Sequence, residues 1–146
     1  MAVTHKWYGM AFKTAFNAEV DVDTHTDKVT LHSNSYTPNY NTNKYYTDLA
    51  GELSTANGYT NTGVALTTVV NGTPNTPTAL AWDWDSDDPT WTITNPGITF
   101  YFAVYRDTNG SQPLLSCVDL GGATAIVSGN LALIQDGNGI AKVTYG

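Results

Sequence analysis

The chain has 146 residues and a mass of 15.7 kDa, enough for one domain with its own core, and carries a net charge of −7 with a pI near 4.5. It holds only six Lys and Arg, in no cluster, so it lacks the basic patch needed to neutralise phosphates or an anionic membrane surface, and neither nucleic acid nor membrane is expected as a partner. Thr and Asn make up about a quarter of the chain and aromatics 12%, with nine Tyr and four Trp, a composition that suits pleated half-buried strands and the turns between them.

Residues 1–17 read as an aromatic N-terminal arm or short helix. Trp7, Met10, Ala11 and Ala15 recur at helical spacing, while Phe12 and Phe16 form a second stripe that ends near Asn17. Between Lys6 and Lys13 there is no apolar run of the kind a signal peptide or membrane span requires. Residues 18–146 read as the β domain. Glu19–Asp23 alternates acid with valine, as a strand with one wet face or an extended lead-in would.

Lys28–Ser33 is a short alternating strand, and it gives way to SYTPNYNTNKYYTDLAGEL. That tract places Tyr36, Tyr40, Tyr45 and Tyr46, with Tyr59 just beyond, among Asn, Thr and one Pro. It is too aromatic for disorder and too rich in turn formers for one long element, so an ordered loop that buries its rings is expected. Tyr45–Leu53 carries the second helical signal of the chain.

Further strands are predicted over Gly63–Val70, Thr78–Asp85, Thr90–Thr94, Ile98–Asp107, Leu114–Asp119, Asn130–Ile134 and Ile140–Tyr145. Asn71-Gly72, Asn109-Gly110 and Asn138-Gly139 are hairpin signals, and Gly121-Gly122 and Gly129 fall between predicted strands. Ile98–Asp107 is long and apolar on both faces, which predicts a central strand. In Thr78–Asp85, Leu80, Trp82 and Trp84 point one way, and Ala81, Asp83 and Asp85 the other. The expected fold is all-β: a single antiparallel β-sandwich or barrel-like domain, residues 1–146, with a short N-terminal helix or arm.

Candidate chemistry is sparse. Asp83, Asp85, Asp87 and Asp88 begin with the spacing of a calcium loop, but no Gly stands at its sixth position and no Glu near its twelfth. Two readings stay open for them, a weak site for a hard cation or a solvated strand end that leads into Pro89. As a glycosidase pair they would need Trp platforms in the same cleft, whereas Trp82 and Trp84 are predicted on the opposite face. His5, His25 and His32 are scattered, without zinc spacing, and no Ser sits in a nucleophile elbow. The expectation is no enzyme, no cofactor and no metal. The single cysteine, Cys117, lies in an apolar run and reads as a buried thiol, consistent with folding in a reducing cytoplasm. Trp7, Tyr8, Phe12 and Phe16 are the candidate protein-contact residues, since Tyr and Trp are enriched at the energetic centres of interfaces. The arm that bears them either docks on its own domain or exchanges between copies of an oligomer.

His5-Lys6-Trp7-Tyr8-Gly9 near the start, the SYTPN tract followed by KYY.D and GEL, TWTITNPGITFYFAVYRDT over Thr90–Thr108, PLLSCVDLGG over Pro113–Gly122 and GNGIAKVTYG over Gly137–Gly146 occur in a characteristic order. In pattern and order the chain resembles a family of small structural proteins of tailed bacteriophages, of the capsid decoration (cement) or head-fibre type. The acidic run at Asp83–Asp88 is denser than that pattern requires. The resemblance implies a virion protein on the outer surface of the capsid, bound to the major capsid protein as a homo-oligomer, with a trimer as the first guess. The alternatives are a head or tail fibre domain that touches host glycans, or a carbohydrate-binding or carbohydrate-active protein.

Overall fold

The structure is a computed structural model, and it describes residues 2–22, 24–67, 70–71, 81–135 and 140–144. The described residues are mostly strand, with one short helix, and every strand pairing is antiparallel, so the fold is all-β. In chain order the elements are β1 (Thr4–Trp7), α1 (Gly9–Phe16), β2 (Lys28–His32), β3 (Val64–Ala65), β4 (Val70–Asn71), β5 (Ala81–Asp85), β6 (Thr90–Ile93), β7 (Ile98–Arg106), β8 (Leu114–Ile126), β9 (Gly129–Ala132) and β10 (Ala141–Thr144). A 3-10 turn at Tyr46–Asp48 occupies part of the second predicted helical segment. The carboxylate of Asp48 starts it by accepting from the backbone N–H groups of Lys44 and Tyr45 at 2.7 and 3.0 Å.

The main sheet has the order β1-β8-β7-β2-β3, beside a three-stranded sheet β10-β5-β4 and the pair β6-β9. β7 is the middle strand of the five, as its two apolar faces predict. The Asn109-Gly110 signal forms the connection from β7 to β8, where Gln112 N–H donates to the Asn109 carbonyl at 2.6 Å. The Asn71-Gly72 and Asn138-Gly139 signals, and residues 78–80 of the predicted Thr78–Asp85 strand, lie wholly or partly outside the described residues.

Three differences from the sequence reading arise from pairing with distant segments of the chain. Thr4–Trp7 is a strand that its sequence does not announce, because it has no alternating apolar residues and becomes ordered by pairing with β8. The Gly63–Val70 strand divides into β3 and β4, which serve different sheets. Glu19–Val22 forms no strand, so of its two sequence readings the lead-in holds, and Val22 enters a turn. Gly121 and Gly122 lie inside β8, not after it: the ladder with β7 breaks between Phe100 and Phe102 opposite this pair, and Gly121 takes φ 72°. At that irregularity β7 changes face. Phe100 packs with Ala103 and Tyr105, whereas Phe102 joins Val104 on the other side.

Both faces of the main sheet are therefore covered. On one, Val29, Leu31, Ala103, Tyr105 and Leu115 form an apolar core with Trp84 of β5, Trp91 and Ile93 of β6, and Leu131 of β9. Trp84 is wholly buried, and its ring lies 6.3 Å from that of Tyr105 and 5.8 Å from that of Trp7. On the other face, Tyr8, Ala11, Tyr36, Val104, Leu114 and Cys117 pack under α1 and the tyrosine tract.

Candidate protein-contact surface

The arm is built from the edge of the main sheet outward. β1 pairs residue by residue with β8, from Thr4 opposite Asp119 to Trp7 opposite Ser116, and His5 Nε2 lies 2.8 Å from Ser116 Oγ. Pairing alternates the side chains, so Trp7 turns to the apolar core, between Trp84 and the ring of Phe12 at 5.9 Å. Tyr8 follows at the junction. Its N–H donates to the Leu115 carbonyl at 3.0 Å, its side chain is wholly buried, and its hydroxyl meets that of Tyr36 at 2.5 Å. Burial, reinforced by Cys117 and Tyr36, pushes the Tyr8 phenol far above its ordinary value, so it stays neutral.

These contacts fix the rotation of α1. Gly9 N–H donates to the Tyr40 carbonyl at 2.7 Å. Ala11 and Thr14, three residues apart, face the sheet and are buried, and the Thr14 hydroxyl donates back to the Ala11 carbonyl at 2.8 Å. The helix stops where Ala18 turns to φ 57°, with Glu19 N–H donating to the Thr14 carbonyl at 2.9 Å. Glu19 then ties this end to the tyrosine tract, by an ion pair with Lys44 at 3.2 Å and by accepting from the Tyr45 hydroxyl at 2.7 Å.

With Ala11 and Thr14 inward, Phe12 and Phe16 are left outward, 55% and 91% exposed, one helical turn apart on one side. The four candidate residues thus divide. Trp7 and Tyr8 hold the arm on its own domain, and Phe12 and Phe16 form an apolar stripe on a helix whose position they secure. In this structure the arm docks on its own chain.

A second apolar surface escaped the sequence reading. An open groove of ≈ 460 Å³ runs beside β1, lined by Val3, Val118, Leu120, Leu133, Ile134 and Ile140 among others. Val3 and Ile134 are 62% and 83% exposed. The lining residues come from segments more than a hundred positions apart, so no local pattern connects them.

The acidic run spans the end of β5 and the turn after it. Asp85 Oδ1 accepts from Ser86 N–H at 2.8 Å, Asp87 Oδ2 from the Thr67 hydroxyl at 3.3 Å and Asp88 Oδ1 from Gln135 N–H at 2.8 Å, while the side chain of Asp83 lies outside the described residues. These carboxylates organise backbone and neighbouring segments. Among the described residues, no three His, Cys, Asp or Glu side chains come together in a way that could hold a metal ion. Of the histidines, His32 is wholly buried: its Nδ1 donates to the Ala50 carbonyl and its Nε2 accepts from the Thr30 hydroxyl, both at 2.8 Å. Burial lowers its pKa, in keeping with a neutral structural ring. Cys117 is buried beside Tyr8 and Tyr40, and burial pushes its thiol up to about 12.

No family model, curated protein or solved structure matches the chain.

Proposed function

We propose that this protein is a structural component of a tailed-bacteriophage virion, a capsid decoration (cement) protein that binds the outer surface of the head and stabilises the shell. The order of motifs from the KWYG segment to the closing GNGIAKVTYG suggests the virion. The observation that carries the binding role is the outward stripe of Phe12 and Phe16 on a helix locked to the sheet by Tyr8, Ala11 and Thr14. Full burial of such a side chain against a partner contributes about 1.5–3 kcal/mol, so two on a rigid support suffice for a weak contact. In a homo-oligomer, with a trimer as the first expectation, several weak contacts act together on one lattice position of the major capsid protein. Binding to the assembled shell, and not to its separated subunits, stabilises the shell by mass action.

Gold-labelled antibody on intact particles, viewed by electron microscopy, tests the location. Label spread evenly over the head supports decoration. Label at the tail tip or at one vertex replaces it with a fibre or adsorption role, and particles without label overturn the virion reading. On the decoration reading, Phe12→Ser/Phe16→Ser protein remains folded and loses at least ~10-fold in particle binding, measured by co-sedimentation.

A further inference from the structure

Beyond the end of the β2–β7 ladder stand two aspartates. Lys28 pairs with Arg106, so extending the antiparallel register by one residue brings Asp27 opposite Asp107, an arrangement in which like charges oppose pairing. Both residues are wholly buried. What they bind differs. Asp107 accepts from Asp21 N–H through Oδ2 and from Asn109 N–H through Oδ1, each at 2.7 Å, and its Oδ1 stands 3.8 Å from His25 Nδ1. It thereby clasps the segment after α1 and the β7–β8 connection to the end of the sheet. Asp27 has no hydrogen-bond partner at either carboxyl oxygen, although its backbone carbonyl accepts from Leu66 N–H at 2.8 Å.

A buried carboxyl that collects no hydrogen-bond donors and faces another carboxylate is stabilised as the neutral acid. Burial, followed by the charges of Asp107 and Asp21, accordingly raises Asp27 to about 8. The groups around the pair offer little compensation. The Asp21 carboxylate accepts from the Thr24 N–H and hydroxyl, and half-exposed His25 lies on the Asp107 side. Arg106 binds Gln112 and the Thr62 carbonyl and covers the ring of Tyr46, and alternation turns Lys28 to the opposite face from Asp27.

We propose that Asp27 and Asp107 form a proton-operated latch: a proton on Asp27 lets ionised Asp107 hold the Asp21–Thr24 turn and the Asn109 turn against the sheet, and loss of that proton sets two buried carboxylates against each other and loosens both turns. The latch does not depend on what the helix binds.

Carbon-13 NMR of the aspartate carboxyl groups in the full chain, from about pH 5 to about pH 10, tests it. Asp27 is expected to titrate with a midpoint near 8, and the Asp21 and Asn109 amide resonances to shift with the same midpoint. His25→Gln keeps that midpoint, and Asp27→Asn abolishes the amide shifts. If the wild-type Asp27 carboxyl titrates in the ordinary carboxylate range, or the two amides do not follow it, the latch is refuted without recourse to any variant. Movement of the Asp27 resonance by millimolar calcium chloride at neutral pH refutes it as well, in favour of a cation held in place of the proton.

Discussion

One face of the main sheet is sealed by apolar volume, with Val29, Leu31, Ala103 and Leu115 packed against Trp84, Trp91, Ile93 and Leu131. The other adds directed polar contacts to a smaller apolar cluster: Thr30 bonded to His32, His32 to the Ala50 carbonyl, Tyr8 to Tyr36, and Arg106 to Gln112 and the Thr62 carbonyl over the ring of Tyr46. The same four strands, β1, β2, β7 and β8, contribute to both. An apolar face tolerates any partner that fills it, whereas a polar face requires its donors and acceptors to meet, so it fixes where the covering tract sits. This second face carries α1 and therefore positions Phe12 and Phe16. Its rigidity is the physical basis of the contact stripe.

Removal of residues 1–9 should have the largest effect, because it takes away β1, Trp7 and Tyr8 and so opens both faces at once. A loss of about 5 kcal/mol or more in urea unfolding is expected, about 3–5 kcal/mol of it from wholly buried Tyr8 and the rest from half-buried Trp7 and the lost β1 pairing. This differs from the expectation for an exchangeable arm, whose removal leaves a folded domain. Trp84→Ala, on the apolar face alone, should cost about 3–5 kcal/mol by the same measurement. Tyr36→Phe, on the polar face, should cost about 1–2 kcal/mol, since it takes a partner from the buried Tyr8 hydroxyl but leaves the volume filled. Equal losses from Trp84→Ala and Tyr36→Phe would remove the distinction between the faces.

Asp27, on the apolar side by alternation with Val29, supplies the pH-dependent contrast. Its folded value, about 8, lies above its ordinary 3.8, so between these limits the folded state holds a proton that the unfolded chain releases. Its contribution to stability is full below about pH 4 and is lost as pH rises to about 8. Thermal melts across that window should show the decline, and Asp27→Asn should flatten it. The smallest effect is expected on the outside: Phe16→Ser, at a 91% exposed position, should change stability by no more than about 0.5 kcal/mol in urea unfolding.

The strands of the apolar core were readable because alternation is a local signal. Thr90–Ile93 buries every second residue, Trp91 and Ile93, as its sequence indicates. The tyrosine tract was readable as an ordered loop, but of its rings only Tyr36 and Tyr59 are buried, while Tyr40, Tyr45 and Tyr46 are partly exposed. The inward and outward sides of α1 were not separable, since Ala11 and Thr14 face the sheet while the larger Phe12 and Phe16 face out, the reverse of a hydrophobicity ranking. The Asp27–Asp107 pair was equally hidden, because eighty positions separate two residues that only strand register brings together.

Composition and periodicity by themselves determined the all-β class, the central place of Ile98–Arg106, the β7–β8 turn and the burial of Cys117, all of which follow from the preferences of neighbouring residues. Tertiary structure alone decided the strand at Thr4–Trp7, the passage of β8 through Gly121-Gly122, the rotation of α1 and the facing aspartates. Each of these depends on a partner distant in the chain. A local pattern sets what a segment prefers, but the partner's register sets which side chains are covered and which are left to bind.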